Sequence, residues 1–512
     1  MQTIRKHPVI IVLAINLIIG IFTFQDYGYS WDEPLFYDYA DALRYAYSPA
    51  EWLSGNFDLQ NAFGSSGSDH ANRGPAYILL ARPIVSLLEL FFDKASAWHL
   101  VNFLTFQLGV YLFYRFASKW METWSALVAT VFFAWQPLLW GHSFINPKDI
   151  PFLVFFIGSM CFGFEMVDDF VSNQKINFWK VLLASFFMGT ATSIRVLGPL
   201  AALLTFLYAL IQIQQIKFNE LIKQFVIYGF LSLFIAFLAW PYLWTNPLLK
   251  FVEVFAFMSD NPTQLNVLFA GENYQAGEMP YRYFPLLLGY TQAEPVWILF
   301  IFGLLIGFLK SNNQKRLLLF TILLWFVIPF TYVLLRRPAM YDGYRHFLFI
   351  LPPIFIFAGF AFEKLFEFIK TRRLRIISIG LLLAFGIIPI IQLHPYQYAY
   401  YNNFAGGVGG VFREYETEYW LTCYREAVLK LNEEANEEVN LFVRREPYIA
   451  AYYANDNVVI RGFRTEQNQM QSGDFYLVNT RSNEDLRFMR DEPVFIEVAR
   501  QGATFCVIKQ VP

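Results

Sequence analysis

VIIVLAINLIIGIFTFQDYGYSWDEPLFYDYADALRYAY, residues 9–47, decides the architecture. Residues 8–24 form an apolar run of the length needed to cross a bilayer, roughly 17 to 25 residues. Beyond it, within residues 27–47, come four carboxylates, Asp32, Glu33, Asp38 and Asp41, set among Tyr27, Tyr29, Trp31, Phe36, Tyr37 and Tyr39. Arg5 and Lys6 precede the run and no A-x-A-like cleavage site follows it, so it is expected to be a retained signal anchor with a cytoplasmic N-terminus. The Asp-Glu pair then falls at the outer boundary of the membrane.

The rest of the chain repeats the apolar theme. Of 512 residues, 56% are hydrophobic, 20% aromatic and only 16% charged, and the mean hydropathy is +0.37. A soluble chain carries nearer a quarter charged residues. Apolar runs recur at 98–117, 122–140, 151–168, 180–194, 196–213, 224–243, 294–309, 317–335, 345–362 and 376–392. Residues 75–92 are ambiguous, because Arg82 and Glu89 are costly inside a bilayer. The short basic connections around Arg115, Lys175, Lys217, Lys310 and Lys364 settle the parity. They share the cytoplasmic side with Arg5 and Lys6 if 75–92 lies on the outer face as an amphipathic or re-entrant segment. The expected fold is a polytopic α-helical membrane protein of about 11 spans. Its outer loops are 25–97, 141–150 and 244–293. A net charge of −2 gives no footprint for nucleic acid.

Beyond residue 393 the pattern changes. HPYQYAYYNNFAGGVGG is a polar-aromatic, glycine-rich linker. TCYREAVLKLNEEAN has helical periodicity, and VNLFVRR, NVVIRG, DFYLVNTR, VFIEVAR and ATFCVIKQ alternate as strands do. Residues 1–393 are therefore read as the membrane domain, and 394–512 as the linker plus a small α/β domain outside the cytoplasm. Cys423 and Cys506 could pair there. No N-x-S/T acceptor sequon occurs, which points to a bacterial inner membrane.

With this topology the unusual polar motifs all face outward. Each has a bland reading. Asp32 and Glu33 could simply keep the first helix oriented. Lys148 and Asp149, between Pro147 and Pro151, could be a stiff loop opening a helix. Arg195 could snorkel to the interface. Arg345 and His346, with Tyr341 nearby and Arg336 and Arg337 upstream, run against the positive-inside trend, and an anionic ligand is the natural reason. Together they suit one chemistry. A sugar on a lipid phosphate presents its anomeric carbon at this depth, its phosphate needs cations, and the acceptor hydroxyl needs a base. Such a single displacement inverts the anomeric centre.

These motifs resemble those of the GT-C membrane glycosyltransferases, in particular the family of protein O-mannosyltransferases and lipid A aminoarabinose transferases. The carriers are Asp32-Glu33 after the first span, Pro147-Lys148-Asp149 in the second outer loop, and the segment around Arg195. The stretches YDGYRHFLFILPP and ETEYW look like an uncharacterised bacterial branch. The resemblance implies a GT-C-like bundle, a polyprenyl-phosphate sugar donor, inverting transfer on the outer face, and Asp32 as base with Glu33 in support. It implies a donor site at Lys148, Asp149, Arg195, Arg345, His346 and Tyr341, and a glycan, a lipid-linked molecule or a protein as acceptor. Enzymes of this group differ on metal use, so a divalent cation, Mg or Mn, stays open as a cofactor. The chain departs from the mannosyltransferases in lacking a MIR-type domain and a histidine-proline-proline pattern in the first loop, where NRGPAYILLARP stands. The alternative is a transporter or flippase of a lipid-linked sugar or other anion. Transporters, however, place charges near the bilayer midplane and show repeats, and neither pattern is present here.

Overall fold

The computed structural model describes residues 7–65, 67–212, 217–259 and 263–512, apart from the side chains of residues 68 and 69. Arg5 and Lys6 of the expected anchor lie outside the described residues. So do 66 and 260–262 of the expected outer loops and 213 at the end of one expected span. Each expected span is helical over most of its length. Four described helices are long and apolar enough to cross a membrane: Asp149–Asn173, Phe218–Leu238, Asn313–Arg336 and Arg372–Gln392. Tyr283–Tyr290 and Glu294–Leu309 would add a fifth span if they act together, though they meet at a bend of 105°. Shorter apolar helices, among them Val9–Thr23 and Phe178–Ile194, complete a mostly helical bundle. By length and composition, then, the helices support fewer spans than the 11 expected.

Proline sets several of the breaks. Phe178–Ile194 ends at Arg195, whose backbone is extended at φ −143° and ψ 135°, and Pro199–Ile211 starts three residues after Val196. Pro199 has no N–H to continue the first helix and suits the first turn of the next. The 122–140 run is likewise cut at Trp135 and Gln136, and Pro137 opens the helix Pro137–Ile145. Ala76–Leu88 is amphipathic. Leu80, Ile84 and Leu87 are exposed, while Ala81 and Val85 are buried. Arg82 is satisfied within the protein by Asp41 at 2.5 Å and Glu89 at 2.8 Å.

A two-stranded hairpin, β1 (Asn266–Phe269) with β2 (Glu272–Gln275), lies in the loop before Tyr283. The five alternating stretches near the C-terminus form β3 (Val439–Val443), β4 (Val458–Gly462), β5 (Phe475–Asn479), β6 (Val494–Arg500) and β7 (Ala503–Gln510). Their order is β4-β3-β5-β7-β6, with β3 parallel to both β4 and β5, and β7 antiparallel to both β5 and β6. Helix Cys423–Glu434 packs on β6 and β7, and Cys423 is bonded to Cys506 on β7.

The segment that follows the first helix runs between the bundle and this α/β unit. Trp31 N–H donates to the Trp420 carbonyl at 2.9 Å, and Tyr29 N–H donates to the Tyr453 hydroxyl at 2.8 Å. A Cβ on Gly28 would stand 2.2 Å from the Thr422 carbonyl oxygen, so only glycine permits this approach.

Candidate active site

Asp32 and Glu33 part at the start of helix Glu33–Ala46, which Pro34 opens. Ser30 and Glu33 have the spacing of a capping box. Glu33 Oε2 accepts from Ser30 N–H at 2.6 Å, and the Ser30 hydroxyl is instead donated to the Ile145 carbonyl. Glu33 Oε1 accepts from the Tyr37 hydroxyl at 2.5 Å and lies 3.0 Å from His99 Nε2. Glu33 is 0% exposed and absorbed in this network. Asp32 turns the other way, into a cavity of about 280 Å³.

The cavity brings most of the expected site together. Asp32, Lys148, Arg195, Tyr341, Arg345 and His346 all line it. Asp149 stands at its edge, at the head of helix Asp149–Asn173, where the backbone favours a negative charge. Asn146 holds this turn, with Oδ1 accepting from the N–H groups of Lys148 and Asp149 and Nδ2 donating to Asp149 Oδ2. Trp240, Val254, Phe257, Met258 and Ile328 give the cavity an apolar wall. Arg336 and Arg337 are exposed and do not line it.

Arg345 sits where three carboxylates meet. Its Nη2 is 3.0 Å from Asp32 Oδ2 and its Nη1 is 3.1 Å from Asp149 Oδ2. Nη2 and Nε also reach Asp342 Oδ2, at 3.1 and 3.2 Å. Its fork is thus largely occupied by the protein's own acids. Arg195 bonds Asp149 through Nη2, but its buried Nε has no hydrogen-bond partner among the described residues. Lys148 is 7% exposed, with its ammonium 5.2 Å from the Phe36 ring and no carboxylate at ion-pair distance among the described residues. Burial, then Arg195 and Arg73, hold the Lys148 ammonium well below the usual lysine range. An anion in the cavity would relieve that repulsion. His346 is set edge-on to Tyr341, with ring centres 5.0 Å apart.

A divalent cation finds no ready donor set. Among the described residues no group of three or more His, Cys, Asp or Glu side chains is placed to hold a metal ion. Asp32 and Asp149 both give an oxygen to Arg345, so two guanidinium–carboxylate contacts stand where a metal would have to bind.

Sequence reasoning missed Asp342, Trp420 and Arg481. Asp342 Oδ2 accepts from Trp420 Nε1 at 3.1 Å, and Asp342 Oδ1 accepts from Arg481 Nη1 at 2.6 Å. Asp342 stood inside the YDGYRH motif, and its left-handed φ of 56° beside Gly343 lets the chain fold its carboxylate back toward Arg345. Arg481 carried no signal, because an arginine after a strand usually marks a solvated end.

No family model and no curated relative matches the sequence. Solved structures do match. ArnT from Cupriavidus metallidurans bound to undecaprenyl phosphate superposes with a TM-score of 0.54 at 12% identity, covering 98% of this chain and 97% of that one. The archaeal oligosaccharyltransferase AglB from Archaeoglobus fulgidus, in complex with an inhibitory peptide and a dolichol phosphate, gives 0.54 at 10% identity over 94% of this chain and 70% of that one. Over nearly its whole length the chain thus shares its fold with ArnT and AglB.

Proposed function

We propose that the protein transfers a sugar from a polyprenyl-phosphate donor to an acceptor hydroxyl on the outer face of the membrane, with inversion. The observation that carries this reading is the lining of the cavity. It brings together a carboxylate, Asp32, cations that the protein's own acids do not saturate, Lys148 and Arg195, and an apolar wall suited to a lipid tail. In the reaction, Asp32 takes the proton from the acceptor hydroxyl as its oxygen attacks the anomeric carbon. The bond from that carbon to the phosphate oxygen breaks on the opposite face. The electron pair leaves with the polyprenyl phosphate, whose charge Lys148 and Arg195 hold. Arg345 fixes the orientation of the Asp32 carboxylate. Glu33 shapes the turn that carries Asp32 and does not touch the reactants. The Cys423–Cys506 bond favours an extracytoplasmic α/β unit, since disulfides persist in oxidising compartments. The fold neighbours solved with undecaprenyl or dolichol phosphate bound give the donor class its precedent.

The test is incubation of purified protein with a labelled polyprenyl-phosphate hexose and envelope acceptors. Label should pass to an acceptor with the parent protein. With Asp32→Asn, transfer should fall by roughly 10² to 10⁴ while donor binding survives. Transfer by Asp32→Asn at near the parent rate sinks the reading.

A further inference from the structure

Arg481 belongs to the C-terminal α/β unit, directly after β5, yet its side chain is 0% exposed and buried against the membrane half. Two features hold it there. Nη1 donates to Asp342 Oδ1 at 2.6 Å and to the Tyr419 carbonyl at 2.8 Å. Its guanidinium carbon also lies 5.3 Å from the centre of the Trp31 ring, and Arg445 approaches the same ring at 5.9 Å. Arg445 is itself fixed by a fork-to-fork pair with Glu484, at 2.9 and 2.6 Å. Trp31 is the residue before Asp32, and Asp342 is the carboxylate that grips Arg345. One side chain from outside the bundle thus bears on both members of the Asp32–Arg345 pair, on one through an aromatic face and on the other through a buried acid.

The loop is built for this reach. Ser482 and Asn483, immediately after Arg481, both adopt left-handed backbone, at φ 52° and 55°. Such conformations cost free energy and persist only where the surroundings fix them. Here the Ser482 hydroxyl donates to the Asn266 carbonyl at the start of β1, and Asn483 Oδ1 accepts from Arg413. A buried charge is costly to keep unless it is paired. Arg481 is paired with Asp342, and Glu416 lies 3.8 Å from its Nε.

We infer that Arg481 is a positioning residue for the transfer centre, so that the C-terminal α/β unit completes the site. Arg481 touches neither donor nor acceptor. It holds Asp342, which holds Arg345 against Asp32 and Asp149, and it stacks on Trp31 to fix the turn that carries Asp32. Without it, Asp342 has only Arg345 as its cation and draws that guanidinium away from Asp32. This inference rests on the glycosyltransferase reading above.

The experiment is a double-variant cycle on full-length protein, with kcat and the donor KM measured at saturating acceptor. Arg481→Met should lower kcat by about 10²-fold, the loss expected when a reacting group moves by about 1 Å. The donor KM should stay within about twofold of the parent value, since Lys148 and Arg195 are untouched. Arg481→Lys keeps the charge without the planar fork and should recover part of the rate. In an Arg345→Ala background, Arg481→Met should cost clearly less than the about 10²-fold it costs in the parent, because its route through Asp342 and Arg345 is gone and only the Trp31 contact is left to lose. If Arg481→Met does not fold, Arg481→Met with Asp342→Asn removes the buried charges together. That pair should fold, bind polyprenyl phosphate and still turn over slowly. Full activity in the pair, or losses that multiply in the Arg345→Ala background, would overturn the inference. A parent protein that shows no transfer instead overturns the glycosyltransferase reading and takes this inference with it. Parent transfer with an unaffected Arg481→Met overturns the inference alone.

Discussion

Lys148→Met is the sharpest perturbation of the donor site. Lys148 is a buried ammonium on the cavity wall with no carboxylate at ion-pair distance among the described residues. A hydrogen bond to a charged group contributes about 1.5–3 kcal/mol. At about 1.4 kcal/mol per decade, its loss should weaken binding of a sugar-free polyprenyl phosphate roughly 10- to 150-fold. The pH dependence supplies a second sign. Burial, Arg195 and Arg73 disfavour the charged form of Lys148 in the empty site, whereas a bound phosphate favours it. Once pH rises above that lowered pKa, binding must take up a proton, so affinity should fall as pH increases. A phosphomonoester has its second ionisation near about pH 6. From about pH 7 upward the ligand's charge is therefore constant and the slope belongs to the protein. Calorimetric titration of detergent-solubilised protein between about pH 7 and 9 reads both effects. The parent should lose affinity across the range, and Lys148→Met should be weak and flat. A variant that binds within about twofold of the parent, or that keeps the slope, refutes the assignment of Lys148 to the phosphate.

Other substitutions separate the remaining roles. Glu33→Gln places an amide in a buried pocket of donors, so it should lower the thermal midpoint by the equivalent of about 1–3 kcal/mol and leave much of kcat; an inactive but fully stable variant would make Glu33 the base instead. Arg345→Lys keeps the charge but cannot bridge Asp32, Asp149 and Asp342 together, so kcat should fall by at least about tenfold, and wild-type turnover would remove Arg345 from the mechanism. Cysteines at the exposed Ser54 and Ser118, in a background without the native cysteines, should react with an impermeant reagent from opposite sides of the membrane; labelling of both from outside would break the topology.

Much of this was legible in the sequence because it follows from local pattern. Apolar runs, basic connections and the five alternating stretches at the C-terminus depend on neighbours within a few residues, and all of these runs and stretches formed helix or strand. The cavity residues were legible for a different reason. Lys148, Arg195 and Arg345 are charges at the mouths of apolar segments, where they are costly unless used. What the sequence hid was partnership. Nothing in it says that Arg345 would be held by three acids from three segments, or that Arg481, more than a hundred residues downstream, would close the set. The sequence set Asp32 apart from Glu33 only in outline; the Ser30 backbone, Tyr37 and His99 are the partners that turn Glu33 away from the cavity. The span count was also blurred, because Pro137 divides the 122–140 run, which reads as continuous.

The central claim is an inverting displacement with Asp32 as base, and the anomeric configuration of the product tests it most directly. With a polyprenyl-phosphate donor carrying ¹³C at the sugar's anomeric carbon, NMR of the product formed by the parent protein should show the label on the acceptor with the opposite configuration, and Asp32→Asn should form that product roughly 10² to 10⁴ more slowly. Retained configuration, or label that crosses the bilayer still attached to its lipid, would contradict the account.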